Sequence, residues 1–193
     1  PRGLGGWIAA KGPSGSKQES LTLKTTMLKG GHIVTPEGVV RKDVALVGGK
    51  LDLSGEPQQD QSVIDVSGKY IMPGFVEIHL HGYNLFDFTA GLFDPEKGVF
   101  DKSAETYQRS IDTIRKQLAA FGVTKFYLAN VNESLDELRR CYKSLADYMG
   151  GTVDSGLGAR LCGGLLEAPF INRNMAGAQN PDLVQDPDPE AFE

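Results

Sequence analysis

"IMPGFVEIHLHG", residues Ile71–Gly82, decides how this chain is read. An apolar run ends in two histidines one residue apart, and they are two of only three in 193 residues. Side chains two apart on a strand point to the same face. With "FVEIHLH" as a strand, Val76, Ile78 and Leu80 share one face and Glu77, His79 and His81 share the other. The apolar face suits packing against helices. The polar face then lines a barrel interior, with the histidines at the strand's C-terminal end, where (β/α)8 enzymes carry their active sites. The strand rise sets the two Cα atoms about 6.5 Å apart, close enough for both imidazoles to converge on one metal ion. Neutral imidazole nitrogen is a good ligand for zinc, iron and related ions. Taken alone, an HxH pair also fits two hydrogen-bonded histidines beside a loop. Gly82 adds to the metal reading, because a small residue lets the chain leave the strand sharply beside a crowded site.

Downstream of this stretch the rhythm is helical and strand-like by turns. "SAETYQRSIDTIRKQLAAFG" predicts a helix with Ile111, Ile114, Leu118 and Phe121 on its apolar face, Ser103 as cap and Gly122 as stop. "VTKFYLAN" predicts a strand. "ESLDELRRCYKSLADYM" predicts a helix with Leu135, Leu138, Tyr142 and Leu145 aligned, and "ARLCGGLLEAPF" a third strand. The order βαβαβ implies a parallel sheet with helices packed outside. A Rossmann sheet starts the same way, but no GxGxxG follows the first strand.

Upstream the pattern changes. From Thr22 to Asp65 short apolar runs alternate with turn signals at Gly30-Gly31, Pro36-Glu37-Gly38 and Gly48-Gly49, which predicts a small antiparallel sheet or half-sandwich. His32 is read as a surface or packing histidine. The first twenty residues are rich in Gly, Ser and Pro and aperiodic, so they read as a flexible arm, with Trp7 not marking a binding motif. The organisation expected is therefore an arm at 1–21, a small β domain at 22–72 and a (β/α) region at 73–193. The chain opens on Pro1 and stops at "DPDPEAFE", as if approaching another helix, and is expected to be a piece of a longer polypeptide.

The bulk numbers narrow the function class. A net charge of −5, without a basic run, argues against nucleic acid as a partner. No apolar run approaches the ~20 residues of a membrane span, and no secretory leader is visible. Cys141 and Cys162 lack CxxC spacing and read as reduced thiols of a cytoplasmic protein.

A second cluster, "GGLLEAPFINRNMAGAQNP", ends the third strand at Glu167. A carboxylate at the end of an apolar strand needs compensation, by a metal or by a nearby Lys or Arg. The amide-rich loop behind it, with Asn172, Asn174, Gly177, Gln179 and Asn180, suits a polar ligand such as a sugar, although loops are commonly polar.

A small β region entering "PGFVEIHLHG", then "AAFGVTKFYLAN", then "LLEAPFINRNMAGAQNP" resembles the N-terminal half of the N-acetylglucosamine-6-phosphate deacetylases of the amidohydrolase superfamily. The likeness runs from about Met27 to Leu183. "PGFVEIHLHG" is typical of the whole superfamily, whereas the "LE-x-PF-x-N" block followed by "GAQN" is narrower. The resemblance implies an α/β fold: an incomplete (β/α)8 TIM-type barrel, its first three strands, preceded by a small all-β, sandwich-like domain. It implies His79 and His81 as ligands of a metal site that only some of these deacetylases possess. It implies Glu167 as the carboxylate ligand, bridging where two metals bind. Ala178 and Gln179 match the loop position that contacts the amino sugar. One or two divalent ions, zinc or iron, are implied, with an amino-sugar phosphate as small-molecule partner and a homodimer as assembly. Ala168 stands where the family motif has glycine, and its methyl group is expected to narrow the pocket. Further histidine ligands and the general-base aspartate are expected beyond Glu193, since no histidine follows His81. Three strands of a barrel leave open edges, so either the chain is truncated or another chain completes it. The competing readings are an amidohydrolase acting on another N-acyl or cyclic amide and a truncated, non-catalytic paralogue.

Overall fold

The computed structural model describes residues 25–48, 50–54, 61–151 and 158–192. The arm expected at 1–21 lies outside them. The described residues fall into two compact units, 25–73 and 74–192.

In the first unit every element among the described residues is a strand: β1 (Thr26–Lys29), β2 (His32–Thr35), β3 (Gly38–Arg41), β4 (Val44–Val47), β5 (Lys50–Asp52), β6 (Ser62–Asp65) and β7 (Tyr70–Ile71). They form two sheets, β5-β4-β1-β6 and β3-β2-β7. Two hairpins sit where turn residues mark them. β2 and β3 turn over Pro36-Glu37, closed by Thr35 Oγ1 donating to Gly38 O at 2.9 Å, and β4 and β5 turn beside Gly48 at φ +57°. Of the small antiparallel sheet or half-sandwich expected from the sequence, the antiparallel pairing is corrected in part. β1 pairs with β6 in parallel and β2 with β7 in parallel. Gly30-Gly31 is not a hairpin turn either, because β1 and β2 belong to different sheets. The two glycines carry the chain between them. Gly30 has φ +76°, and a Cβ on Gly31 would lie 2.6 Å from Ile71 Cδ1. Met27, Ile33, Val44 and Ala45 are the buried apolar residues here. His32 packs against Tyr70 with the rings tilted by 45° and their centroids 5.7 Å apart.

The second unit begins with β8 (Phe75–Leu80). A four-stranded antiparallel meander follows: β9 (Gly82–Tyr83), β10 (Phe86–Asp87), β11 (Gly91–Asp94) and β12 (Val99–Asp101). Then come α1 (Ala104–Ala120), β13 (Val123–Ala129), α2 (Leu135–Gly151) and β14 (Arg160–Leu165). β8, β13 and β14 form a parallel sheet with β13 in the centre, as the alternation of strand and helix implies. The meander is an addition that the sequence reading passed over. Its strands are two to four residues long, too short to show a period.

α1 starts where Ser103 accepts the Thr106 N–H at 3.3 Å. Asp101 reinforces this cap. It accepts from the Thr106 hydroxyl at 2.6 Å and from the Ser103 N–H at 2.9 Å, and these bonds hold its carboxyl down at about 2. Phe121 is corrected from apolar face to cap: it ends the helix and is 66% exposed, while Gly122 at φ +79° turns the chain into β13. The buried faces of α1 and α2 meet over the sheet. Phe88, Tyr107, Ile111, Ile114, Phe126, Leu128, Cys141 and Leu145 form one apolar cluster. Each large side chain buried this way contributes about 1.5–3 kcal/mol. Both cysteines are free, and burial pushes the Cys141 thiol up to about 12, which makes it unreactive. Among the described residues no helix is long and apolar enough to cross a membrane.

The apolar face assigned to β8 is not helix-covered. Val76 and Ile78 are each more than half exposed, and only Leu80 reaches the cluster. β8 is the sheet's edge strand, and the contacts of α1 and α2 with the sheet fall mainly on β13 and β14.

Candidate metal centre

His79, His81 and Glu167 meet at the C-terminal end of the parallel sheet. Parallel strands place their C-terminal ends together, which is how residues 88 positions apart come into contact. His79 is on β8, His81 is the residue after it, and Glu167 lies two residues beyond β14 rather than on it. The β8–β13 register slips here. Phe126 pairs with Glu77 and Leu128 with Leu80, so β8 takes one more residue than β13 over the same span. Bulges of this kind re-aim side chains beside functional sites.

The three ligand atoms form a tight triangle. His79 Nε2 lies 3.0 Å from Glu167 Oε2 and 3.2 Å from His81 Nε2, and His81 Nε2 lies 3.3 Å from Glu167 Oε2. These are the separations expected of neighbouring ligands around a tetrahedral ion with bonds of about 2.0–2.1 Å, whose edges come to about 3.3 Å. The donor set fits a cation for a second reason. His81 Nδ1 faces the Ala129 carbonyl at 3.1 Å, and a carbonyl only accepts. The proton of neutral His81 is therefore on Nδ1, and its Nε2 lone pair faces a carboxylate oxygen. Lone pairs aimed at one another are stabilised by a cation between them, and a carbonyl that fixes the tautomer is the usual support of a ligating histidine.

Two residues hold Glu167 outside the triangle, Asn130 and Gln179. The Glu167 backbone N–H donates to Asn130 Oδ1 at 3.0 Å. Asn130 Nδ2 donates in turn to Ala168 O at 3.0 Å. Gln179 Nε2 donates to Glu167 Oε1 at 3.0 Å, while Gln179 Oε1 accepts the Asn132 N–H at 2.6 Å. The Tyr142 hydroxyl lies within hydrogen-bonding distance of Asn130 Oδ1 and of Leu165 O, and burial raises its pKa. Asn130, Asn132 and Tyr142 were missed by the sequence reading. The signal for the first two is two asparagines at alternate positions, "NVN", straight after β13.

Beside the triangle lies a cleft of about 600 Å³ lined by His81, Asn132, Glu167, Ala178 and Gln179 among others. Ala178 and Gln179 thus both line it. Asn132 Oδ1 is buried beside it with no hydrogen-bond partner among the described residues. Ala168 does not line it. Its side chain is buried at the start of the Ala168-Pro169 turn, so its methyl group does not narrow this cleft. Gly82 is crowded by backbone rather than by the site: a Cβ there would lie 1.9 Å from the Phe86 carbonyl oxygen.

No protein-family model matches the sequence. Among curated proteins, the chain is 27% identical over 152 residues to an N-acetylglucosamine-6-phosphate deacetylase from Lysinibacillus sphaericus, a match covering 78% of this chain and 35% of that protein. It is 39% identical over 57 residues to an allantoinase from Desulfitobacterium hafniense, 28% of this chain and 13% of that protein. It is 32% identical over 59 residues to a dihydroorotase from Macrococcus caseolyticus, 30% and 14%. Among solved structures, the deacetylase of Mycobacterium smegmatis superposes with a TM-score of 0.58 at 22% identity, covering 88% of this chain and 42% of that one. The deacetylase of Thermotoga maritima superposes with a TM-score of 0.60 at 22% identity, covering 86% and 38%. At these identities the structures establish the fold. The chain spans less than half the length of each of these relatives.

Proposed function

We propose that the chain is the N-terminal part of a metal-dependent amide hydrolase that deacetylates N-acetylglucosamine 6-phosphate; the two sequence motifs, the likeness of fold to deacetylase structures and a deacetylase relative matched over 78% of the chain support this reading. The observation that carries the reading is the convergence of His79, His81 and Glu167 beside a cleft. A variant of the Mycobacterium smegmatis enzyme has been solved with N-acetyl-D-glucosamine-6-phosphate, which makes that ester the first substrate to test.

His79 Nε2, His81 Nε2 and Glu167 Oε2 would hold one divalent ion, zinc or iron. A divalent ion in such a site lowers the pKa of water towards neutrality and polarises an amide carbonyl. Ala129 O keeps the His81 tautomer that leaves Nε2 free to ligate. Asn130, the residue after β13, fixes the Glu167 backbone. Ala178 and Gln179, on the cleft wall, would face the amino sugar. The general base would be an aspartate outside the described residues. In this reading β8, β13 and β14 are the first strands of a (β/α)8 barrel. The exposed edge of β8 is where further strands would pair, residues 22–72 form a separate sandwich-like domain, and the assembly is a cytoplasmic homodimer.

Acetate release from N-acetylglucosamine 6-phosphate, measured on chelator-stripped protein and after adding zinc or iron(II), tests the proposal. Release that returns with metal supports it. Metal binding with no acetate release from this ester, but with turnover of a hydantoin or dihydroorotate, would move the substrate to the cyclic amides. The short, higher-identity matches to an allantoinase and a dihydroorotase favour that second reading.

A further inference from the structure

Gln179 makes two contacts whose directions are chemically fixed. The Asn132 backbone N–H can only donate, so the Gln179 atom 2.6 Å away is its carbonyl oxygen. The other end of the amide is then the NH2 group, and it donates to Glu167 Oε1 at 3.0 Å. The flipped amide would set NH2 against N–H and a carbonyl oxygen against a carboxylate oxygen, two repulsive contacts in place of two hydrogen bonds. The loop is pinned beside this point as well. Asn132 Nδ2 donates to Asn180 O at 2.8 Å, and Asn180 Oδ1 accepts the Asp182 N–H at 3.0 Å.

We propose that Gln179 is a positioning residue that commits Glu167 Oε1 and so leaves Oε2 alone to face His79 and His81. This rests on the metal reading of the site and sharpens it. Glu167 then gives a single oxygen to a single ion on the histidine pair. A carboxylate that spans two ions needs both oxygens, or shares one between them, and here one is held by the amide and the other is already against both imidazoles. Gln179 thereby acts through Glu167, in addition to lining the cleft.

Cobalt(II) and zinc(II) titrations of the full chain test this, on wild type, Gln179→Met and Gln179→Ala. The expected result is one equivalent per wild-type chain. Both variants should bind about 10–100-fold more weakly, the usual cost of losing an outer-sphere support of a metal ligand. The visible spectrum of bound cobalt should also change, because a Glu167 free to turn offers both oxygens. A loop contact without influence on Glu167 would not move that spectrum. Gln179→Ala adds no atoms and keeps the test open should the methionine variant not fold. Variants that bind as tightly as wild type, with an unchanged spectrum, overturn the inference and leave the metal site standing. Two equivalents of similar affinity in wild type overturn it too. A wild-type chain that binds neither ion overturns the hydrolase reading itself.

Discussion

Strands β8 and β13 run side by side in one parallel sheet and are similarly apolar, but their side chains meet opposite surroundings. Phe126, Leu128 and Ala129 of β13 are fully buried, whereas Phe75, Val76 and Ile78 of β8 stand largely in solvent. The difference follows from position, since β13 has a strand on both sides and β8 on one. The two strands are joined at their C-terminal ends, where Ala129 of the buried strand accepts the hydrogen bond that orients His81 beside the exposed one. Stability is thus concentrated on β13, and His81, the residue after β8, is aimed from it.

The sharpest way to break this contrast is to truncate one residue on each strand. Leu128→Ala should destabilise the chain by about 2–5 kcal/mol in urea unfolding, because its methyls are surrounded. Ile78→Ala, at 57% exposure, should stay within about 0.5 kcal/mol of wild type. Similar losses at both sites would mean that the β8 face is covered after all. Gly82→Ala comes next. Its methyl would run into the Phe86 carbonyl and should cost about 1–3 kcal/mol. Amide hydrogen exchange should show the loss centred on β9 and β10. Wild-type protection there would mean that the meander tolerates the shift and does not lock the exit from β8.

His81→Ala separates site from scaffold. It removes a hydrogen bond to Ala129 O, worth about 0.5–1.5 kcal/mol, so metal-free unfolding should change little while metal affinity collapses. Asp101 gives the smallest effect. The Thr106 and Ser103 hydrogen bonds lower its folded-state pKa to about 2 from an ordinary 3.8. Its contribution is present in full above 3.8 and is lost as pH falls towards 2, where the unfolded chain takes up the proton first. Stability of Asp101→Asn should be flatter than wild type across that window, and an unchanged slope would mean that the cap does not hold the carboxylate.

The helices and central strands were legible because their apolar periods are long and their ends carry a serine cap at 103 and a glycine stop at 122. The meander was not, because strands of two to four residues define no period. Nor were the parallel pairs β1–β6 and β2–β7, whose partners lie more than thirty residues apart and share no turn. His79, His81 and Glu167 could be singled out from residue type and strand position, but their ligand roles were implied only by the family resemblance. Asn130, Asn132 and Tyr142 could not, since each acts by a hydrogen bond that exists only once strand ends from distant segments are adjacent. The β8 apolar face misled for the same reason. Its sequence calls for cover, and cover depends on which elements lie beyond the sheet edge.

The central claim is that three residues from two distant segments form one metal site. The direct measurement is bound zinc per chain after equilibrium dialysis, for wild type and for His79→Ala, His81→Ala and Glu167→Ala. One ion in wild type, with occupancy falling sharply in all three variants while metal-free unfolding is little changed, is the result predicted. Equal zinc in all four proteins, or none in wild type, would contradict it and leave the triangle a hydrogen-bonded cluster.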